Sequence, residues 1–475
     1  MNQQEKFDRF VARYPHDHTR FWRRPVQSRR QFFQVLGAGV SGYFLSGPMA
    51  SGQNVAVTSS KVDMQNKARN AVFILLGGAA SHVDTFDLKE IPGTTPADFR
   101  PETIHGVRFP VGVFPRTAEV MEHLAIVRSV RSWSAVHGLA QTWLQIGRNP
   151  VSALGRIAPH IGSVVSLEKD RDRTPAQAFP TFLALNLGNS PGAGYLPAQY
   201  APFKMGAPGC AVTATACGGL GSVTHPGGTA RFNDRWALMH TLDDPLRQNS
   251  PLGKQPEDLD SFYSAARGLM YNPVVDQAFR FTGADSARYG NTTFGNALLM
   301  AKQVLASNQG TRFIQVNVGG WDMHANIYDR NNNGGIYRVG KTFDDGFGGF
   351  IKDLAESGLL NETLVVVAGE FGRTVGRLTA QNGRDHFLQQ FVVFAGGGVQ
   401  GGRAIGATNE TGAFTIDSGW SRQRDVRSED VEATVYSALG INWTTIRYDD
   451  PFKRGFEYVP YSREDAYGPI NELWG

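Results

Sequence analysis

Asn70-Ala-Val-Phe-Ile-Leu-Leu-Gly-Gly78 is a continuous apolar run that two glycines close. A run of this kind, without polar alternation, is typical of a strand that is buried on both faces of a parallel sheet. Similar apolar runs follow at residues 182–185, 313–318, 364–368 and 391–395. The sequence therefore predicts that these segments form the core of one sheet.

Helical patterns accompany these runs. Between the third and fourth, apolar residues recur at helical spacing, at Phe343, Phe347, Phe350, Ile351 and Leu354, which predicts one βαβ crossover. A last amphipathic segment is expected to begin at an N-cap, Asp430, and to end at Gly440. The predicted fold class is α/β, with a mostly parallel central sheet flanked by helices.

Length and charge restrict the partners and the domain organisation. The chain has 475 residues, of which 41% are hydrophobic and 19% charged, and its formal net charge is +4. This is the composition of an ordinary globular protein. Because residues after 31 contain no Lys/Arg-rich run, nucleic acid is not an expected partner. We expect a linker at residues 51–69 and one domain at 70–475, with an irregular insertion at about 188–228 and helices over 230–310.

The N-terminal residues 1–50 have the organisation of an export signal. Arg29-Arg30 precede a short apolar stretch at residues 35–45, which is typical of a signal read by the twin-arginine (Tat) export machinery. The predicted location is periplasmic or secreted. Because Pro48 makes a poor cleavage site, an alternative is that the segment is not cleaved and stays attached as a membrane anchor. A second alternative is that it forms a basic amphipathic helix and is not a signal. The stretch is too short to span a bilayer, and no spanning helix is expected in the mature domain.

Two cysteines, Cys210 and Cys217, are the chain's complete set. In an exported protein their closeness permits a disulfide, but two buried free thiols are equally compatible with the sequence. No His or cationic residue lies in their loop to activate a thiol, so a catalytic role is not expected.

Polar residues gather where the predicted strands end. His82 and Asp84 follow the first strand, Asp322 and His324 the third, and Glu370 the fourth, while His386 precedes the fifth. Because the carboxyl ends of parallel strands meet at one edge, we expect these groups to converge. His and carboxylate groups are the ligands of zinc- or manganese-class metals.

Two arginines lie close to these residues in the sequence. Arg373 and Arg384 are candidates for a fork that binds an anionic substrate. The alternative is that they form salt bridges with Glu370 or Asp385. The sequence does not decide between these roles.

Several of these motifs together resemble a known family. The opening strand, the Thr363 to Gly372 segment and the closing helix resemble sulfatases. Four motifs resemble the family called domain of unknown function 1501, within the alkaline phosphatase and sulfatase superfamily: Gly78 to Lys89, Gly319-Gly-Trp-Asp-Met-His324, Glu370-Phe-Gly-Arg-Thr374 and Gly383-Arg-Asp-His386. The resemblance implies an alkaline-phosphatase-like fold and metal-dependent hydrolysis of phosphate or sulfate esters.

The chain also departs from the sulfatase pattern. Gly77-Gly78 stand where sulfatases have paired aspartates, and Glu370-Phe371 where they have Asp-His. His82 and Asp84 are candidates to replace the missing aspartates, and His386 corresponds to the phosphatase-type histidine before the last core strand.

The position of the sulfatase nucleophile holds His137. This histidine is a candidate nucleophile, acid/base or metal ligand, or a structural residue at a helix start. Ser134 and Ser132 are alternative nucleophiles.

Two functions remain in view. The first is an exported hydrolase that uses a divalent metal (zinc, manganese or calcium), Asp322, His324, His386, Glu370, His82 and Asp84 as ligands, and His137, Ser134 and Arg373 in catalysis. The second is a catalytically altered relative that binds a glycan, a metal or a protein. The expected ligand is an anionic ester or a glycan-type substrate.

Overall fold

The computed structural model describes residues 55–174, 176–188, 190–218, 227–247, 269 and 272–475. The predicted signal at residues 1–50 lies outside the described residues.

An eight-stranded sheet forms the centre of the described chain. Its strands are β1 (Asn70–Leu76), β2 (Leu124–Arg131), β3 (Phe182–Leu185), β4 (Phe203–Met205), β5 (Phe313–Val318), β6 (Thr363–Gly369), β7 (Gln389–Ala395) and β8 (Arg403–Ile405). Their order across the sheet is β8-β2-β7-β6-β1-β5-β3-β4. Only β7 runs against the other seven strands of this sheet.

The register of the three central strands confirms that they end at one edge. Leu76 of β1 pairs with Val318 of β5 on one side and with Gly369 of β6 on the other, and all pairings between them are parallel. The loops that follow these strands therefore begin side by side. The handedness of the predicted crossover from β5 to β6 stays a prediction.

Helices cover both faces of this sheet. The described helices longer than one 3-10 turn are α1 (Pro115–Glu119), α2 (His137–Ile146), α3 (Ile161–Lys169), α4 (Gly228–Arg247), α5 (Pro273–Ala278), α6 (Gly283–Arg288), α7 (Thr293–Ser307), α8 (Ile336–Glu356) and α9 (Ser428–Ala438). On one face, Val72, Ile74 and Leu76 of β1 belong to a core shared with α7 and α8. On the other, Ala71 and Phe73 belong to a core shared with α2, α3 and α9. The predicted helix-flanked, mostly parallel α/β fold is confirmed.

The closing helix begins earlier than the sequence indicated. Asp430 is the third residue of α9 and not its N-cap, which is Arg427. Its carboxylate still satisfies the helix start, because Oδ2 accepts the backbone N–H of Arg427 at 2.9 Å. The expected N-cap was thus wrong by three positions, although Asp430 does bind a free N–H of the first turn.

The region at 188–228 holds the short strand β4 and a bonded cysteine pair. Cys210 and Cys217 form a disulfide. Of the two alternatives that the sequence left open, a disulfide or two free thiols, the structure has the disulfide. Among the described residues, no helix is long and apolar enough to cross a membrane.

Candidate metal centre

The centre is built where five neighbouring strands meet one edge of the sheet. His137 is the first residue of α2, six residues after β2 ends, while Asp322 and His324 follow β5. His386 lies in a short antiparallel pair with Arg373, just before β7. Because β7 is the reversed strand, it begins where the others end. A residue that precedes a strand therefore reaches the same edge as residues that follow strands.

Four side chains converge there. One potential ligand atom from each of His137, Asp322, His324 and His386 lies within 4.8 Å of the others. Asp322 Oδ1 is their common neighbour, at 3.2 Å from His137 Nε2, 2.9 Å from His324 Nε2 and 3.7 Å from His386 Nε2. The side chains are open to solvent, with 28% of His386 and 48% of Asp322 exposed.

Each imidazole is held through its other nitrogen. His137 Nδ1 lies 2.5 Å from Glu370 Oε2, His324 Nδ1 2.8 Å from Asp385 Oδ1, and His386 Nδ1 2.7 Å from the carbonyl oxygen of Ala135. A carbonyl or carboxylate oxygen only accepts, so each Nδ1 carries the proton. In the neutral rings, the three Nε2 lone pairs then face the common centre, as in the outer shell of histidine metal sites.

The Nε2 atoms of the three histidines face other hydrogen-bond acceptors. His324 Nε2 and His386 Nε2 are 3.0 Å apart, and the buried His137 Nε2 has no hydrogen-bond partner among the residues that the structure describes. An unsatisfied buried acceptor costs about 1–3 kcal/mol, and facing lone pairs repel each other. A cation bound among these atoms would remove both penalties, so the residues fit a metal.

Arg373 is the donor that this cluster does contain. Its guanidinium is buried, with Nη2 2.5 Å from Asp322 Oδ1 and Nη1 3.3 Å from His324 Nε2. It also donates to the carbonyls of Gly78, Ala79 and Arg384. Partial burial raises the pKa of Asp322, but the hydrogen bond and charge of Arg373 outweigh it and leave that pKa below its usual value. Asp322 is thereby kept ionised.

Phe371 packs the histidines in place, although it offers no ligand atom. Its ring centroid lies 4.8 Å from that of His137 and 4.6 Å from that of His386. Contact on this side restricts how the two imidazoles rotate. The role of Phe371 is therefore packing.

The backbone around Gly78 leaves no room for a side chain. Its φ is +99°, and a Cβ there would lie 2.6 Å from the backbone nitrogen of Asp322. Its N–H donates to Glu370 Oε1 at 2.9 Å and its carbonyl accepts from Arg373. The close approach of two backbones, together with the left-handed φ, requires glycine.

His82 and Asp84 lie outside the cluster of four. Both are fully buried. His82 Nε2 bonds the carbonyl of Gly412 at 2.9 Å, and burial lowers the His82 pKa. Asp84 binds Arg384 at 2.6 Å and accepts from Ser81 and Tyr328. The expectation that this pair supplies metal ligands is not met by their placement, because their polar atoms are used within the protein.

Arg384 is likewise not at a rim. It is completely buried, and it donates to Asp84, to Tyr328 and to the carbonyls of Thr374 and Gly376. No donor edge is left for a substrate, so the expectation of an anion fork at Arg384 fails on geometry. Its partner is Asp84 and not Glu370 or Asp385.

The side chains of the two serines close to His137 form hydrogen bonds within the turn before α2. Ser134 is buried and its Oγ accepts the N–H of Val136 at 3.0 Å, while Ser132 Oγ donates to the carbonyl of Ser134 at 2.9 Å. Of the residues considered as nucleophiles, only His137 belongs to the cluster of four. Glu370 contacts His137 and is not itself a member.

Sequence reasoning missed three supporting groups: Asp385 as the anchor of His324, the Ala135 carbonyl and Phe371. Asp385 adjoins His386 in the sequence, which was an available signal. The other two depend on how loops fold back, and no residue pattern indicates them.

The family profile described as "Protein of unknown function (DUF1501)" matches residues 68–454. The chain belongs to this family. The expectation drawn from its motifs is confirmed. The matched range includes every residue of the metal centre, so the centre lies within the part that defines a DUF1501 protein.

No curated protein matches the DUF1501 chain in sequence. Solved structures similar to it include Ps i-CgsB, at 10% identity and a TM-score of 0.40, covering 84% of this chain and 77% of the other. The PsFucS1 sulfatase from Pseudoalteromonas sp. has 12% identity and a TM-score of 0.35, with 79% and 69% covered. A protein in the alkaline phosphatase superfamily from Vibrio parahaemolyticus has 11% identity and a TM-score of 0.33, with 90% and 77% covered.

Proposed function

We propose that this DUF1501 protein is a metal-dependent hydrolase of phosphate or sulfate esters. One observation carries the proposal: three imidazoles are each anchored through Nδ1, and their Nε2 atoms face Asp322 Oδ1 across an opening to solvent. His386 and Asp322 are 28% and 48% exposed, so water can reach the ligand atoms, as a catalytic metal site requires.

The ligand chemistry favours zinc or manganese. Three nitrogens and one carboxylate suit these metals, whereas calcium prefers oxygen ligands. Two atoms bound to one zinc ion at 2.0–2.2 Å lie no more than about 4.4 Å apart. The observed limit of 4.8 Å thus needs only small side-chain shifts. When bound, the metal would polarise an ester oxygen and lower the pKa of water.

The surrounding residues have positioning roles in this proposal. Glu370 and Asp385 hold two imidazoles in the ligating tautomer, and Arg373 keeps Asp322 ionised and adds positive charge beside the ester. Since Ser134 is buried and bonded to Val136, we assign the attack on phosphorus or sulfur to water. His137 then acts as a ligand and not as a nucleophile.

A groove that begins at the end of β2, the strand that leads to His137, is a candidate space for the rest of a substrate, although none of the four residues of the centre lines it. It has a volume of about 750 Å³ and is lined by the end of β2 at Arg131 and by a hairpin that carries Phe414 and Ile416. Both apolar side chains are largely exposed. Its lining has three arginines, at 131, 424 and 427, against two aspartates, at 417 and 425. A small excess of positive charge next to exposed apolar surface suits an anionic ester with a ring or chain attached, including a glycan.

Export belongs to the same proposal. The paired arginines at 29 and 30 remain the basis for Tat transport to the periplasm, and the Cys210–Cys217 disulfide suits an oxidising compartment. Cell fractionation after changing Arg29 and Arg30 to lysine tests it. Retention in the cytoplasm supports the twin-arginine route, and unchanged export refutes it.

The activity is tested with chromogenic esters. The full chain, loaded with zinc or manganese, is assayed on 4-nitrophenyl phosphate, bis(4-nitrophenyl) phosphate and 4-nitrophenyl sulfate. We expect turnover of at least one ester, a loss of about 100-fold or more in His386→Ala, and retained turnover in Ser134→Ala.

His123→Ala is the matched control, because the His123 side chain is similarly exposed, at 33%, and lies outside the centre. It should behave as the wild type. If the metal-loaded chain cleaves none of the esters, the hydrolase proposal fails. The alternative of a catalytically altered, metal-holding binding protein would then stand.

A further inference from the structure

A second cluster of charge lies at the opposite edge of the sheet. A cleft of about 400 Å³ is lined by the cationic residues Lys67, Arg69, Lys169 and Arg312 and by the acidic residues Asp172 and Glu362. We call it the basal cleft. Arg69, Arg312 and Glu362 directly precede β1, β5 and β6. Because β1 has seven residues, the basal cleft is about 20 Å from the metal centre.

Arg312 has a free donor edge in this cleft. It is 94% buried, at 6% relative exposure. Its Nη1 donates to the carbonyl of Thr311 at 3.0 Å and contacts Asn70 Oδ1 at 3.5 Å. Within the described chain its Nε and Nη2 have no acceptor. These two atoms form the edge of a guanidinium that binds two oxygens of one anion.

The four cations of the basal cleft make no ion pair with a carboxylate of the described residues. Nearby, Arg171 and Arg173 do pair, with Glu168 and Asp170. Four positive and two negative groups leave a formal charge of +2 in the cleft. Burial lowers the pKa of Arg312, and the charge of Arg69 lowers it further. Burial also lowers the pKa of Lys169.

We propose that the basal cleft binds a doubly charged tetrahedral oxyanion: free phosphate or sulfate, or the phosphate monoester of a small molecule. Nε and Nη2 of Arg312 hold two of its oxygens. Arg69, Lys67 and Lys169 supply charge from the cleft wall, and the anion neutralises the excess of two. The volume is within the range of small-molecule sites and exceeds what one inorganic anion fills. This site is independent of the proposed hydrolase function.

The competing explanation is structural. Helix α3 ends at Lys169, and cations stabilise the carbonyl end of a helix. In that case the positive charges already have their counterpart, and added anions would act only by screening. The two explanations differ in how the protein responds to a divalent anion at constant ionic strength.

The experiment uses the full chain carrying His324→Ala, so that the metal centre does not contribute. Binding of sulfate, phosphate and phenyl phosphate is measured by calorimetry and by the midpoint of thermal unfolding, against sodium chloride of equal ionic strength. We expect saturable binding and a raised midpoint. A tighter response to phenyl phosphate assigns an ester, and an equal or weaker one assigns the inorganic anion.

Substitutions localise the response. Arg312→Gln should weaken anion affinity at least about tenfold. Arg69→Gln changes an exposed side chain and should weaken it without affecting folding. Arg338→Gln, an exposed arginine of α8, is the matched control and should bind like the parent. A response no larger than that to chloride, or one unchanged by Arg69→Gln and Arg312→Gln, overturns the proposal.

Discussion

At the scale of single residues, the candidate metal centre contains more hydrogen-bond acceptors than donors. Arg373 donates to Asp322 and His324, but no group in the described part of the chain donates to His137 Nε2. Burial lowers the pKa of His386, and Arg373 lowers it further. In the neutral ring the proton is on Nδ1, which donates to the Ala135 carbonyl, so His386 Nε2 has no hydrogen to donate to His324. A bound cation, as proposed, would satisfy these acceptors.

Gly78 offers a test of this geometry. Gly78→Ala places a methyl group 2.6 Å from the Asp322 nitrogen at a φ of +99°. We expect destabilisation of roughly 1–3 kcal/mol together with weaker metal binding, because the Asp322 loop must shift. The neighbouring Gly77→Ala is the control, since its Cβ would meet nothing closer than 3.7 Å. Equal effects of the two substitutions on unfolding and metal content would refute this role of Gly78.

At the scale of elements, apolar runs predict strands but not their directions. The five strands proposed from such runs are present as β1, β3, β5, β6 and β7, with ends within two residues. β2 was missed because Arg128 and Ser129 interrupt its pattern, and β4 and β8 have only three residues each. Nothing in the β7 sequence reveals that it is reversed, because direction depends on the connection that precedes it.

The same limit applies to the site. The strand-end rule brought Asp322 and His324 to one edge, and the family resemblance added His386 and His137. It did not separate these from His82 and Asp84, which share the edge but turn into a buried network. Sequence spacing gives the edge at which a side chain lies, while the loop conformation decides which way it points.

Glu432 of helix α9 is a buried acid next to the end of α2, and it predicts that the stability of the fold depends on pH. Burial raises the pKa of Glu432 to about 8, from an ordinary value of 4.5. Within the described ranges Glu432 Oε2 has no hydrogen-bond partner, and it lies where a Cβ of Gly147, at the end of α2, would be. The protonated form therefore suits the fold. Its stabilising contribution is complete below pH 4.5 and is lost as the pH rises through about 8.

Glu432→Gln should remove this dependence. We expect the variant to gain stability relative to the wild type as the pH rises from about 5 to about 8, measured by urea unfolding. Glu356→Gln, at an exposed position of α8, is the control and should follow the wild-type profile. A constant difference between Glu432→Gln and the wild type across this range would contradict the prediction.

At the scale of the whole molecule, the two edges of the sheet have different chemistry. One edge collects imidazoles and a carboxylate from segments up to 249 residues apart, from His137 to His386. The other collects, at the basal cleft, cations that form no ion pair with any carboxylate the structure describes. Parallel strands produce this separation, because the loops that follow such strands meet at one edge of the sheet and the loops that precede them meet at the other. The core between the edges is apolar on both faces and keeps the two sites apart.

The metal content of the purified full chain tests the central claim most directly. Protein prepared without chelators and offered zinc or manganese is analysed by elemental mass spectrometry. We predict about one tightly held metal ion per chain, its loss in His324→Ala with the fold retained by circular dichroism, and its retention in His123→Ala. A wild-type chain that takes up no metal, or a folded His324→Ala chain with unchanged metal content, would contradict the account.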